Sequence, residues 1–312
     1  MLETYSPYSL LTRPNPIFER ERRGLTWQPS ETLPLFSTTG LYVIAATGVV
    51  LFLAAGMLSR EPGWNSTGRI LPLLMGIYLV MQVVVSFLAD LYIIVQGINV
   101  WQARHQHGQW DIVRLTPVDE EALIHTYRAL IELRVWRVAQ IETTLRLALP
   151  GVVVFVVALG SWLLPIVLLV IAATIFDVAG LGTVALFTAL GYFLGQLGVA
   201  YLREPIWRMR IITAMSMWSA ARFADPTAAL LNASAYALGW RLLPVVALLG
   251  IYAVASALLT LPIGTFASGV LTAVWVGGVG FVLNRVSGAM YVRVSEFFAR
   301  RVIALLRRGE CA

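Results

Sequence analysis

LALPGVVVFVVALGSWLLPIVLLVI, residues Leu147–Ile171, contains no charged side chain and is long enough to cross a lipid bilayer as one helix. About 20 apolar residues at 1.5 Å each cover a hydrocarbon core roughly 30 Å thick. Five more stretches of the same kind flank it: Phe36–Leu58, Ile70–Ala89, Leu181–Leu202, Leu242–Leu261 and Thr265–Leu283. Arginines fill alternate gaps. Arg13, Arg20, Arg22 and Arg23 precede the first stretch, and Arg104, Arg114, Arg128, Arg134, Arg137 and Arg146 separate the second from the third. Arg203, Arg208, Arg210, Arg222 and Arg241 separate the fourth from the fifth, and Arg285, Arg293, Arg300, Arg301, Arg307 and Arg308 follow the sixth. The other gaps hold only Arg60 and Arg69. Basic residues stay on the cytoplasmic side during insertion, so this alternation predicts both termini inside.

The expected fold is therefore all-α: a polytopic membrane protein with six transmembrane helices. Residues 1–35 form a cytoplasmic segment, and 36–284 the membrane domain. Within it lie a long cytoplasmic loop at 101–146 and a second at 203–241, and 285–312 form a basic amphipathic tail. The expected location is a bacterial-type plasma (inner) membrane. The composition agrees, with 58% hydrophobic and 13% charged residues, against about a quarter charged in soluble domains. A net charge of +6 suits anionic lipid beside the spans rather than nucleic acid.

All 23 basic residues are arginine. A phosphate-binding loop of the GxxxxGK[ST] type needs its lysine, so this chain carries no such loop, and lysine-based Schiff-base chemistry is excluded with it. The single cysteine, Cys311, excludes an intrachain disulfide, and its position does not fit a prenylation box. No cleavable leader is expected ahead of the first span. His105, His107 and His125 lack companions for a metal site. Neither a GxSxG elbow nor an HExxH pair is present, so no catalytic residue, cofactor or metal is expected and the chain is not read as an enzyme.

Three dipeptides, Asn15-Pro16, Thr116-Pro117 and Asp225-Pro226, pair a helix N-cap with proline at the first helical position. After Thr116-Pro117, Asp119 stands as in a capping box, and Glu120 and Glu121 put negative charge in the first turn. Ile124, Tyr127, Ile131, Val135, Val138, Ile141 and Leu145 then follow at steps of three and four. That pattern predicts one apolar stripe, with Arg128, Glu132 and Arg137 largely off it, on a helix lying along the membrane surface. Small residues mark where helices approach closely in lipid. Gly191 and Gly195 form one candidate packing pair, and Gly269, Ala273 and Gly277 a second candidate face. Asp90 is the one acid near a membrane interior. It is a candidate intramembrane polar group, although a span ending at Ala89 would leave it among the headgroups.

Gly108-Gln109-Trp110-Asp111-Ile112-Val113-Arg114-Leu115-Thr116-Pro117-Val118-Asp119-Glu120-Glu121 resembles the loop after the second span in ABC type-2 (exporter-type) permeases. Asn15-Pro16-Ile17-Phe18-Glu19-Arg20-Glu21 resembles the amphipathic elbow before their first span. The resemblance covers roughly residues 13–146. It implies a permease powered by a separate nucleotide-binding ATPase subunit, working as a homodimer or with a paralogous permease. The segment from Trp110 and Leu115 through Thr116, Pro117, Asp119, Glu120 and Glu121 would couple it to that ATPase. A different class stays open: a non-transporting structural or accessory subunit that binds other integral membrane subunits. Its support is the scarcity of intramembrane charge and the short external connections. Anionic lipids are expected partners on either view.

Overall fold

The computed structural model describes residues 67–106, 120–146, 178–259 and 266–308. They form α1 (Thr67–Gln106), α2 (Glu120–Arg146), α3 (Val178–Arg222), α4 (Pro226–Leu259) and α5 (Phe266–Arg308). Apart from the Phe223–Asp225 connection the described residues are helical, with no strand among them. The expected spans at 36–58 and 147–171 lie outside them, as do Trp110, Leu115, Thr116, Pro117 and Asp119.

The helices outrun the apolar stretches. α1 has 40 residues, α3 45 and α5 43, or about 60 Å and more at the helical rise. The segment 203–241, expected as a loop, is the end of α3 and the start of α4, joined through Phe223–Asp225. Asp225 caps α4: its carboxylate accepts from Thr227 N at 3.2 Å and Ala228 N at 3.0 Å, satisfying N–H groups that have no partner in the first turn. Ser219 fastens α3 to α4, donating to the Ala229 carbonyl at 2.7 Å while accepting from Asn232 Nδ2 at 3.1 Å. Ala229, Ala233 and Ala237, spaced by four, are all buried. A row of methyl groups lets another backbone approach closely.

Among the described residues, one segment, Gln82–Ala103 within α1, is long and apolar enough to cross a membrane. It overlaps the second expected span but runs past Ala89, so Asp90 sits inside a continuous helix rather than at its end.

Two compact units are present. The first gathers Met1–Leu145, Pro205–Gly239 and Tyr291–Ala312; the second gathers Arg146–Glu204 and Trp240–Met290. In the first, α2 lies at the centre of the packing. Every position from Thr126 to Leu133 is buried, so α2 is covered all round through this stretch rather than along one stripe. Ile124, Tyr127, Ile131 and Val135 are buried as the periodicity predicts. Arg128 and Glu132 are buried too, whereas Ile141 is 47% exposed. A helix resting on the membrane surface would show one wet face through this stretch. The core around α2 includes Ile94, Ile98 and Trp101 of α1, Met209, Ile212 and Met217 of α3, and Val302 and Leu306 of α5.

α1 meets α3 at Gly97. A Cβ built there would stand 1.9 Å from Ser216 Oγ and 2.8 Å from Ser216 Cβ. Only glycine fits so close an approach. In the second unit the tight contact is at Gly280, where a Cβ would fall 3.0 Å from the Phe193 Cα. Asn284 Nδ2 donates to Gln196 Oε1 at 2.6 Å between the same two helices.

Candidate functional site

α1 places Gln82, Ser86 and Asp90 at steps of four, which keeps them on one helical face. All three are buried. The face opposite carries Val80, Val83, Val84, Phe87, Leu88, Tyr92 and Val95, and it is exposed. The helix is therefore inverted relative to one in a soluble protein: polar groups inside, large apolar groups outside.

The polar face meets charged groups from α2 and α3. Arg208 Nε stands 2.9 Å from Asp90 Oδ1, and Arg208 Nη2 donates to both carboxylate oxygens of Glu142. Ser86 Oγ donates to Glu142 Oε1 at 2.6 Å. Asp90 and Arg208 are each 3% exposed and Glu142 2%. Farther along α2, Arg128 Nε donates to Glu132 Oε1 at 3.0 Å, and Arg210 Nε lies 3.6 Å from Glu132 Oε2. Asp90, Glu132 and Glu142 thus face Arg128, Arg208 and Arg210 in the first unit.

Removing such charges from water costs several kcal/mol per ion, which mutual attraction repays only when geometry and hydrogen bonding are good. The planar guanidinium of Arg208 meets that condition toward Glu142, to which it donates, and pairs by charge with Asp90 as well. The arrangement joins α1, α2 and α3 through one side chain. Each such contact must break before α1 and α3 can slide or part, so the cluster favours one discrete packing over a continuum.

A related device lies at the end of α2. Pro205 lies inside α3, and proline has no N–H to give the carbonyl four residues back. That carbonyl belongs to Tyr201, and Arg146 Nη1 donates to it at 2.9 Å. Arg146 also pairs with Glu204 at 2.6 Å and lies over the Tyr201 ring, 4.7 Å from its centre. A side chain from the end of α2 supplies the donor that the proline removes.

Of the other residues singled out from sequence, Glu120 opens α2 and pairs with Arg307 at 3.2 Å, in an exposed position. Glu121 lies 3.8 Å from His125 Nε2. Burial, followed by the neighbouring Arg128 charge, holds the His125 imidazole below its ordinary pKa of 6.5, against smaller opposing contributions from Glu121 and Glu296. Gly191 is buried. Gly195 has nothing within 4 Å of a built Cβ, and Gly277 only the Tyr192 ring edge at 3.8 Å. Gly269 and Ala273 lie on α5, with side-chain surroundings outside the described set. Among the described residues no three His, Cys, Asp or Glu are grouped to hold a metal. No protein-family model, no curated protein and no solved structure matches the chain.

Gln82 and Ser86 are not singled out by the sequence reading; their steps of four to Asp90, a polar row within an apolar segment, are the signal that would find them. Arg128 and Glu132, four apart and opposite in charge, were visible as a pair. What carried no local signal was their partner on α3: Glu142 and Arg208 stand 66 positions apart.

Proposed function

We propose that this chain is the membrane-spanning permease subunit of an ABC-type transporter, driven by a separate ATP-binding subunit. The observation that carries its membrane half is the inverted surface of α1. Seven large apolar side chains between Val80 and Val95 face outward while Gln82, Ser86 and Asp90 face inward. Water would penalise that face, at about 25 cal/mol per Å² of apolar surface left exposed; acyl chains would not. With the arginine alternation it supports six spans and cytoplasmic termini.

The transport half rests on the resemblance of Gly108–Glu121 and Asn15–Glu21 to exporter-type permeases. Helices that continue well past their apolar stretches would carry force from a cytoplasmic ATPase into the membrane. Trp110 and Leu115 would anchor that ATPase, since a few well-packed groups, tryptophan foremost, dominate interface energies. A non-transporting structural subunit is the rival, favoured by buried charges that engage one another across α1, α2 and α3.

Purification of the tagged full chain from its native membrane separates the two. The permease should bring down an ATP-binding subunit. Trp110→Ala with Leu115→Ala should abolish that association while leaving insertion intact, and Thr116→Ala should weaken it less. Recovery with other integral subunits and no ATPase would replace the permease with the structural subunit.

A further inference from the structure

From Tyr291 to Arg308, α5 shows two different sides. Phe298, Ala299, Val302 and Leu306 are buried in the first unit, whereas Arg293, Arg300, Arg301, Arg307 and Arg308 are all exposed. Glu296 is the one acid of the segment, so five positive charges against one negative leave +4. Two of the arginines reach a carboxylate: Arg300 lies 4.0 Å from Glu296, and Arg307 donates to Glu120 of α2 at 3.2 Å. Their side chains are still 80% and 65% exposed. Ion pairs so open to water are weak and yield to a better-placed acid.

Arg293, Phe297, Arg300, Ala304 and Arg307 follow one another at steps of four and three. That is the spacing of a seam along which a second helix lies nearly parallel, its side chains set between those of the first. The seam alternates cation and apolar group: Phe297 is 52% exposed and Ala304 half-buried. Arg301, to one side of the seam, lies over the Phe297 ring at 5.1 Å from its centre. Aromatic rings and arginines are the groups enriched where proteins meet.

Lipid is out of reach of most of this face if the last span ends at Leu283. At 1.5 Å per residue Arg300 lies about 25 Å and Arg307 about 36 Å beyond it, and a tilt of about 40° still leaves about 20 Å and about 28 Å. The headgroup layer is under about 10 Å deep, and lipid charge is screened within a further ~8 Å. A second copy would set arginine against arginine, +4 against +4. A nucleic-acid backbone would meet Glu296, 49% exposed within the stripe, and would leave Phe297 and Ala304 without an apolar counterpart. We propose that the face of α5 from Arg293 to Arg307 docks a helix of a cytoplasmic protein. That helix carries carboxylates at seven-residue intervals opposite Arg293, Arg300 and Arg307, and apolar side chains against Phe297 and Ala304. The assignment rests on the membrane placement proposed above and not on any ATPase.

The test uses the full chain in nanodiscs of phosphatidylcholine. The probe is a fluorescent, alanine-based helical peptide with glutamate at every seventh position and leucine at the seam positions between. An isomer of the same composition, its glutamates clustered at one end, is the control. Binding is read by fluorescence anisotropy, and Tm by tryptophan fluorescence. Three exposed ion pairs together contribute about tenfold, so the parent should bind the spaced peptide about tenfold more tightly than the isomer. Arg293→Gln with Arg300→Gln and Arg307→Gln should lose that preference at an unchanged Tm. Arg293→Lys with Arg300→Lys and Arg307→Lys keeps the charges and should retain most of it. Equal binding of the two peptides by the parent, or a preference that survives in the glutamine variant, would overturn the assignment. So would a glutamine variant whose only loss is affinity for duplex DNA or for phosphatidylglycerol nanodiscs, which would give the face to nucleic acid or lipid. An ATPase that co-purifies with a chain showing no peptide preference would keep the permease and end this assignment. Peptide preference in a chain that brings down no ATPase would do the reverse.

Discussion

α1 and α2 belong to the same unit and share the same charge cluster, yet they turn opposite chemistry outward. α1 exposes Val80, Val84, Phe87, Leu88 and Tyr92; α2 exposes Glu121, Arg134 and Arg137. Both bury carboxylates, Asp90 on one and Glu132 and Glu142 on the other. The inner faces answer to the same partner, Arg208, so the outer faces must answer to different surroundings. An apolar medium against α1 and a polar one against α2 accounts for both. The interior is thus a poor guide to where this protein meets lipid, and the outer surface a good one.

The largest effect should come from the residue the two helices share. Arg208→Met keeps much of the side-chain length but leaves Asp90 and Glu142 buried without the guanidinium. Breaking a buried pair by deleting one partner costs roughly 3–5 kcal/mol, so thermal unfolding in detergent should move down by many degrees. Adding Asp90→Asn and Glu142→Gln should recover part of the loss, because neutral side chains are less costly to bury. A single variant as stable as the parent would mean that Arg208 does not hold these helices together.

The outer faces give the next largest effect and can break the comparison directly. Leu88, 57% exposed at the middle of the apolar face, should resist charge: Leu88→Arg should cost about 3 kcal/mol of insertion, the usual figure for arginine near a span centre. Arg134→Leu, on the exposed side of α2, should change membrane integration little. Glycosylation-tag reporters of insertion read both variants. Equal tolerance at the two positions would remove the basis for placing α1 against lipid.

How much of this was legible differs by feature. The helical class followed from charge-free runs such as Leu181–Leu202, whose composition has few alternatives. The ends of the helices did not follow. Asp90 and Arg203–Arg210 read as boundaries, because a charge normally stops an apolar segment, and only partners far along the chain let the helices continue through them. Ser86 and Glu142 are 56 positions apart, for example. The stripe on α2 is half legible: periodicity finds buried Ile124, Tyr127, Ile131 and Val135, but it leaves Arg128 and Glu132 off the stripe and cannot show them buried, because burial of a charge depends on the opposing helix. Gly97 gave no signal, since one glycine in an apolar run says nothing about Ser216 facing it. The cap at Asp225-Pro226, by contrast, is a local device, and its chemistry was readable from two residues.

The smallest effect sharpens the comparison on the α2 side. His125 keeps 30% of its side chain in contact with solvent, so it should titrate with the bulk, as a group within hydrocarbon would not. Burial and the Arg128 charge hold its pKa below 6.5 in the folded protein. Between that lower value and 6.5 the unfolded chain binds a proton that the folded one refuses, and stability rises with pH wherever the unfolded state binds more protons. The contribution is therefore complete above 6.5 and declines as the pH falls through 6.5 toward the folded value. His125→Gln cannot gain that proton. Comparing Tm at about pH 7.5 and about pH 5.5, a range that spans the ordinary histidine pKa, the parent should lose more than the variant. Groups that do not touch His125 act equally on both proteins, so the difference between the two losses reports the imidazole together with its Glu121 contact. Parallel losses would show that His125 is not held below its ordinary value, and the wet outer side assigned to α2 would lose one of its supports.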